Sequence, residues 1–146
     1  MVEEVLLDTD ALIELHRRPE TLSTVLDRYR CLISQITLYE YLFGLAYLGR
    51  DLDEEKGVLE RVYEVVPISQ TILRRALMVD LELTRRGERL EFRDLIVGAS
   101  AIELGVGLVT GNLRHFERIS QFGLGLIPLD EFVRAAGSTG GQRSGR

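Results

Sequence analysis

Near the N-terminus the apolar triplet Val5-Leu6-Leu7 gives way at Asp8 to Thr9-Asp10-Ala11-Leu12-Ile13-Glu14-Leu15, and this change of period constrains the rest of the chain. The triplet reads as a buried strand, whereas Ala11, Leu12 and Leu15 recur at helical spacing. The backbone therefore passes from strand to helix at a carboxylate. In an open α/β sheet such passages lie at the carboxyl ends of the strands, where ligands bind. Asp8 or Asp10 could equally be a helix cap, accepting hydrogen bonds from the first free backbone N–H groups. The junction alone does not separate the two roles.

The same passage recurs downstream. Pro19 suits the opening turn of a second helix with Leu22, Val25, Leu26 and Tyr29 on its apolar face. The strand Cys31-Leu32-Ile33-Ser34 leads into an apolar helix over 36–48, where Thr37-x-x-Glu40 has the spacing of a capping box with Glu40 reaching back to the Thr37 backbone. A helix over about 53–64 precedes the strand Val65-Val66-Pro67-Ile68, whose proline indicates a sheet edge. An amphipathic helix over 71–86 is ended by Gly87. Asp94 then opens a helix over 95–105 that is apolar nearly all round and must be packed on most sides; Gly98, Ala99, Ser100 and Ala101 would let it approach a sheet closely. A fourth strand, Val106-Gly107-Leu108-Val109-Thr110, stops at Gly111-Asn112 before a short helix over 113–118. A fifth strand over 124–129 and a last helix opened by Asp130 complete the pattern. Alternating strands and helices predict right-handed crossovers, hence an α/β domain with a central parallel sheet of four to five strands and helices on both faces.

With 45% hydrophobic and 28% charged residues, the 146-residue chain has the balance of one globular domain able to bury a continuous core. That domain is expected over 1–136, with the Gly/Ser/Arg stretch 137–146 disordered. No apolar run is long enough to cross a bilayer, and Met1-Val2-Glu3-Glu4 lacks the basic start of a signal peptide, so a cytoplasmic protein is expected. Cys31, in an apolar run, reads as a buried core thiol. With only His16 and His115 beside it, a closed tetrahedral Cys/His zinc site cannot be assembled from one chain. A metal would need oxygen ligands.

The net charge of −5 argues against a surface that coats nucleic acid through many phosphate contacts. However, seventeen of the eighteen basic residues are Arg and only Lys56 is Lys. Arg pairs bidentately with phosphate and stacks on bases, so local RNA binding stays open. Arg85, Arg86, Arg89 and Arg93 are candidates to handle such a substrate, or else form a solvated charged face.

Asp8, Glu40 and Asp94 each stand at or near the start of a helix, two of them just after a strand, and Asn112 follows the fourth strand. In a parallel sheet these junctions share one edge, so the residues converge. Gathered carboxylates repel unless a cation sits among them, and Mg²⁺ or Mn²⁺ is the ion such oxygens prefer.

Leu6-Leu7-Asp8-Thr9-Asp10, Ile36-Thr37-Leu38-Tyr39-Glu40 with Gly44, Arg93-Asp94-Leu95-Ile96-Val97-Gly98-Ala99, and Leu108-Val109-Thr110-Gly111-Asn112-Leu113-Arg114-His115-Phe116 together resemble a PIN domain of the VapC toxin type. All four blocks occur in order across about residues 5–130. The resemblance implies a Mg²⁺-dependent endoribonuclease, usually dimeric and held inactive by a small VapB-type antitoxin encoded beside it. It makes Asp8, Glu40 and Asp94 the metal ligands and, with Asn112, the catalytic set; Thr9, Thr110, Arg89 and Arg93 are candidate substrate contacts. Asp10 stands where these proteins commonly carry Asn, and Asn112 and His115 stand where many carry Asp, so a second metal would be held more weakly. His115 is expected at the surface or behind the site, and His16 on a helix surface. An antitoxin is expected to cover the cleft with a basic side chain near Asp8 and Asp94, and the apolar face of 38–48 to join two copies.

Two other readings compete with this one. Asp8-Thr9-Asp10 also resembles the nucleophile block of haloacid-dehalogenase-like phosphatases, but these, like receiver domains, need a downstream Lys, and Lys56 lies in an expected surface helix. A degenerate PIN module that only binds RNA or a partner protein is the non-enzymatic alternative.

Overall fold

The computed structural model describes residues 2–144, with side chains described for 2–137. In chain order the elements are β1 (Glu3–Leu7), α1 (Thr9–His16), α2 (Pro19–Arg28), β2 (Tyr29–Ser34), α3 (Gln35–Tyr47), α4 (Leu52–Val62), β3 (Glu64–Val66), α5 (Gln70–Arg85), α6 (Phe92–Leu104), β4 (Gly107–Thr110), α7 (Leu113–Ser120), β5 (Leu126–Pro128) and α8 (Leu129–Ser144). The disordered tail expected over 137–146 falls largely outside the residues whose side chains are described.

All five strands pair in parallel, in the order β3-β2-β1-β4-β5. The chain first winds outward from β1 through β2 to β3, then returns to add β4 on the other side of β1. The winding direction therefore reverses between β1 and β4, and the crevice outside the carboxyl ends of those two strands is where such sheets bind ligands. Sheet alternation divides the core. Leu6, Leu32 and Leu108 face α5, α6 and α7 through Ile72, Val79, Leu83, Ile96, Phe116 and Ile119. Val5, Leu7, Cys31, Ile33 and Val109 face the opposite layer, meeting Leu12, Leu15, Val25, Leu59, Tyr63 and Phe132. Strands covered on both sides can be continuously apolar, which is why Val5-Leu6-Leu7 reads without alternation.

Three local expectations are corrected or refined. The capping box at Thr37 does not form: α3 begins at Gln35, capped by Ser34, whose Oγ accepts from the Ile36 backbone N–H at 3.2 Å. The last residue of β2 is itself a good cap, so the helix starts earlier, Thr37 becomes buried within it and Glu40 is released from capping. The small-residue stretch of α6 meets a helix as well as the sheet: Gly98 faces α7, while Ala99 and Ala101 pack in the layer of Leu6, Leu32 and Leu108. A Cβ on Gly98 would lie 2.9 Å from Cδ1 of Ile119 on α7. The proline strand does occupy an edge, but β3 stops at Val66 and leaves Pro67 outside.

Candidate active site

At the end of β1 the Asp8 backbone N–H donates to the Val109 carbonyl at 3.0 Å, extending the sheet by one bond into the crevice. Asp8 is the N-cap of α1, and its Oδ1 accepts from the Thr9 N–H at 2.8 Å. Capping and a place in the cleft are therefore both true of this residue. Its side chain is almost wholly buried, at 1% exposure. At the end of β4, the buried hydroxyl of Thr110 lies 3.1 Å from Asp8 Oδ2 as donor and accepts the Asn112 backbone N–H at 2.9 Å. Thr110 thus ties the two strand ends together.

Asp10, two residues beyond Asp8, also lines the cleft, but its carboxylate is held by backbone donors. Its Oδ1 accepts from Ala11 N–H and its Oδ2 from Gly111 N–H, both at 2.8 Å. A Cβ on Gly111 would sit 2.6 Å from Asp10 Oδ2, so a side chain there would displace the Asp10 carboxylate. Burial, then the nearby Asp8 charge, raises the Asp10 carboxyl above its ordinary range, while the backbone donors at Gly111 and Ala11 pull it back.

Arg93, in the first turn of α6, reaches into the middle of the carboxylates. Its Nε donates to both oxygens of Glu40 at 2.8 Å, and its Nη1 to Asp94 Oδ1 at 2.9 Å. Its Nη2 donates to Asp8 Oδ1 and to Thr9 Oγ1, the latter at 2.9 Å. The Thr9 hydroxyl in turn donates to Glu40 Oε1 at 2.6 Å. Burial works against the Arg93 charge, but Asp8 and Glu40 outweigh it and hold the guanidinium protonated above its usual range. Asp94 is buried and its carboxyl is pushed up by that burial, against the lowering effect of Arg93. His115 is mostly exposed, with Nδ1 3.5 Å from Asp94 Oδ2.

The cleft so formed has a volume of about 300 Å³ and is lined by Asp8, Thr9, Asp10, Ile13, Glu40, Glu91, Arg93, Asp94, Asn112 and His115. Asp8, Glu40, Asp94 and Asn112 are brought together as the junction pattern anticipated. Thr9 and Thr110 are present but engaged with the acidic groups themselves. Arg89 is exposed and does not line the cleft. Arg85 is exposed on α5, and Arg86 pairs with Glu82 at 3.1 Å and lies over the Phe122 ring at 5.9 Å. Glu91 was missed: it lies within the charged run 88–94, and the helix starts three residues earlier than expected, which makes Glu91 its N-cap residue at the cleft. His16 is also corrected, for it is half-buried between the rings of Tyr41 and Tyr63 and not on a free surface.

Among the described residues, no three His, Cys, Asp or Glu side chains are already set around a common point for a metal. Asp8, Glu40 and Asp94 instead surround the Arg93 guanidinium, each bonded to a different nitrogen. All three are hard oxygen donors directed at one positive charge, which is the donor chemistry of Mg²⁺ or Mn²⁺. The donor set fits such an ion, provided that Arg93 yields.

A family model described as the PIN domain matches residues 5–121. The chain belongs to the PIN-domain family. A VapC ribonuclease of Pyrococcus furiosus is 31% identical over 133 residues, covering 90% of this chain and 89% of that protein. VapBC-1 from nontypeable Haemophilus influenzae superposes with a TM-score of 0.72 at 22% identity, over 87% of this chain and 98% of that one. DNA-bound VapBC from Salmonella typhimurium gives 0.70 at 26% identity, over 88% and 99%. The resemblance read from four ordered sequence blocks is thus upheld, as is the parallel sheet of the PIN fold. In this PIN domain the four blocks meet at the reversal between β1 and β4, which is why each is weak alone and informative as a set.

Proposed function

We propose that this PIN domain is a metal-dependent endoribonuclease, the toxin of a VapBC-type toxin–antitoxin pair. The observation that carries the reading is the convergence of Asp8, Glu40 and Asp94 on one positive charge at the carboxyl edge of the sheet. Asp8 and Asp94, with Glu40, would hold Mg²⁺ or Mn²⁺. When bound, the ion supplies an activated water for in-line attack on the RNA phosphodiester and offsets charge on the phosphoryl oxygens. Thr110 fixes the rotamer of Asp8 through Oδ2, and Thr9 fixes that of Glu40. Asn112, at the lip of the cleft, offers an uncharged amide to the scissile region, and His115 stands exposed beside Asp94.

The cleft already accommodates a guanidinium, which supports inhibition by a VapB-type antitoxin that inserts a basic side chain there. Homodimerisation is supported by α3, where Tyr39, Phe43 and Tyr47 are 71%, 62% and 83% exposed and stack along one face. Among the described residues no helix is long and apolar enough to cross a membrane, in keeping with a toxin acting on RNA in the cytoplasm. The phosphatase alternative lacks its cation: Lys56 is on α4, paired with Glu60 at 2.8 Å, and does not line the cleft.

RNA cleavage by wild type and Asp8→Asn, each in Mg²⁺ and in EDTA, tests the mechanism. Cleavage confined to wild type in Mg²⁺ is expected. Undiminished cleavage by the folded variant, or by wild type in EDTA, overturns it.

A further inference from the structure

Arg93 is the one cation among the residues that line the cleft, apart from any proton on His115, and it donates to all three of the gathered carboxylates. A substrate-binding arginine would be expected to hold its guanidinium towards the opening. Here every nitrogen of the group is turned inward, and only 24% of the side chain is exposed. The nitrogens facing Asp8 and Asp94 are Nη2 and Nη1, and they lie against the oxygens that a metal would need. The bond to Glu40 uses Nε of the same planar group, so the three nitrogens must move together when an ion takes their place.

The structure assigns Arg93 the role of a resident counter-cation that neutralises the carboxylates of the metal-free cleft and is exchanged for the divalent ion when the ion binds. The inference rests on the reading that Asp8 and Asp94 hold a metal. Two consequences follow from electrostatics. Without metal, Arg93 keeps like charges from repelling within a buried site, where unpaired carboxylates are costly. With metal present, the same group is a competitor, so affinity is set below what the bare carboxylates would give. A simple salt bridge of structural purpose predicts the first effect without the second.

Mn²⁺ binding by calorimetry and thermal unfolding with EDTA or Mn²⁺ would be compared for wild type, Arg93→Gln, Arg93→Lys and Asp8→Asn. Arg93→Gln is expected to bind Mn²⁺ at least about tenfold more tightly than wild type, since a cation next to the ligand oxygens has been removed. In EDTA it should melt below wild type, and Mn²⁺ should raise its melting temperature by more than it raises that of wild type. Arg93→Lys, a point charge that cannot fork across the three carboxylates, should fall between. Should Arg93→Gln fail to fold without metal, the Nε–H signal of Arg93 in ¹⁵N-arginine-labelled wild type gives an independent measure: its hydrogen-exchange protection should fall when diamagnetic Mg²⁺ saturates the site. Equal or weaker Mn²⁺ binding by folded Arg93→Gln, with Asp8→Asn binding less than both, overturns the exchange and leaves the metal site standing. Unchanged Arg93 protection at Mg²⁺ saturation overturns it as well. No uptake of Mn²⁺ by any of the proteins would overturn the metal reading and the exchange together.

Discussion

The two ends of α1 bury polar groups by opposite means. At the N-terminal end, the Asp8 side chain is matched by the Arg93 guanidinium. At the C-terminal end, His16 lies between the Tyr41 and Tyr63 rings, with centroids 5.4 Å and 5.8 Å away, and its Nε2 is 2.7 Å from the Tyr63 hydroxyl. A helix C-terminus favours a cation, yet burial lowers the His16 pKa and the Glu55 charge only partly restores it. Burial likewise holds Tyr63 protonated. The C-terminal end is a neutral, fixed cluster; the N-terminal end is a charged one whose cation can be replaced. Charge that has been matched and not abolished can be exchanged, and that is the property a metal-dependent site needs.

The largest effect should come from removing charge at the N-terminal end alone. Asp94→Asn preserves shape and hydrogen-bonding capacity but takes one charge from the cleft, and RNA cleavage should fall by well over about a hundredfold, beyond the loss seen when outer partners of metal ligands are changed. His16→Gln, at the other end of the same helix, should leave cleavage within about twofold while lowering the melting temperature through loss of the ring contacts. If both variants lost cleavage equally with their folds intact, the two ends would not be separable.

A smaller loss is expected from Thr110→Val, which is nearly isosteric and removes the hydroxyl between Asp8 and Asn112. Cleavage should drop by about ten- to a hundredfold, the range for groups that orient ligands without touching the reaction. Because the Asn112 N–H loses its acceptor, stability should fall by about 1–3 kcal/mol, measurable by denaturant unfolding. Wild-type activity in this variant would mean that Asp8 needs no such support.

Titration distinguishes the ends by direction. In metal-free protein, NMR should show the Asp94 carboxyl titrating above 3.8 and His16 below 6.5. For His16 the folded value is the depressed one, so its contribution to stability is complete above about 6.5 and is lost as pH falls from there through the folded value. For Asp94 the folded value is raised, so its contribution is complete below 3.8 and is lost as pH rises through the folded value. His16→Gln should therefore flatten the mildly acidic limb of the stability profile. An unchanged slope there would show that His16 is not the neutral group inferred.

Much of this was legible in the chain because the strand-to-helix passages carry their own punctuation. Val5-Leu6-Leu7 before Asp8, and the stop at Thr110-Gly111-Asn112, locate both sides of the crevice without any knowledge of contacts. Glu40 falls at the right junction because it follows a strand, and only the capping role that its spacing from Thr37 suggests fails, since Ser34 caps the helix three residues sooner. Arg93 reads from the sequence as a group for substrate, because the sequence shows that an arginine adjoins Asp94 but not that its side chain turns inward to Asp8 and Glu40. His16 reads as a helix-surface residue for a similar reason. Its helix is eight residues long, and the burial comes from Tyr63, forty-seven positions away. Asp10 and Gly111 form a pair that no periodicity reveals, since one is a carboxylate and the other is informative only for the side chain it lacks.

The smallest effect expected is also the one that most sharpens the division within the N-terminal end. Asp10 and Asp8 are two residues apart, but the Asp10 oxygens are spent on the Ala11 and Gly111 backbone N–H groups and none faces Arg93. Asp10→Asn keeps one accepting oxygen and converts the other to a donor, so one of those bonds is lost, at a cost of about 1–3 kcal/mol for a charged acceptor. The same change removes a carboxylate that burial and the Asp8 charge both disfavour, and this relief works in the opposite direction. The two contributions should nearly cancel, leaving stability within about 1 kcal/mol and cleavage within a few-fold of wild type. Denaturant unfolding and an RNA cleavage time course on Asp10→Asn, run beside Asp8→Asn, measure this. A collapse of cleavage in Asp10→Asn as deep as in Asp8→Asn would place Asp10 among the groups that hold the metal, and the loop at Gly111 would then be its consequence and not its purpose.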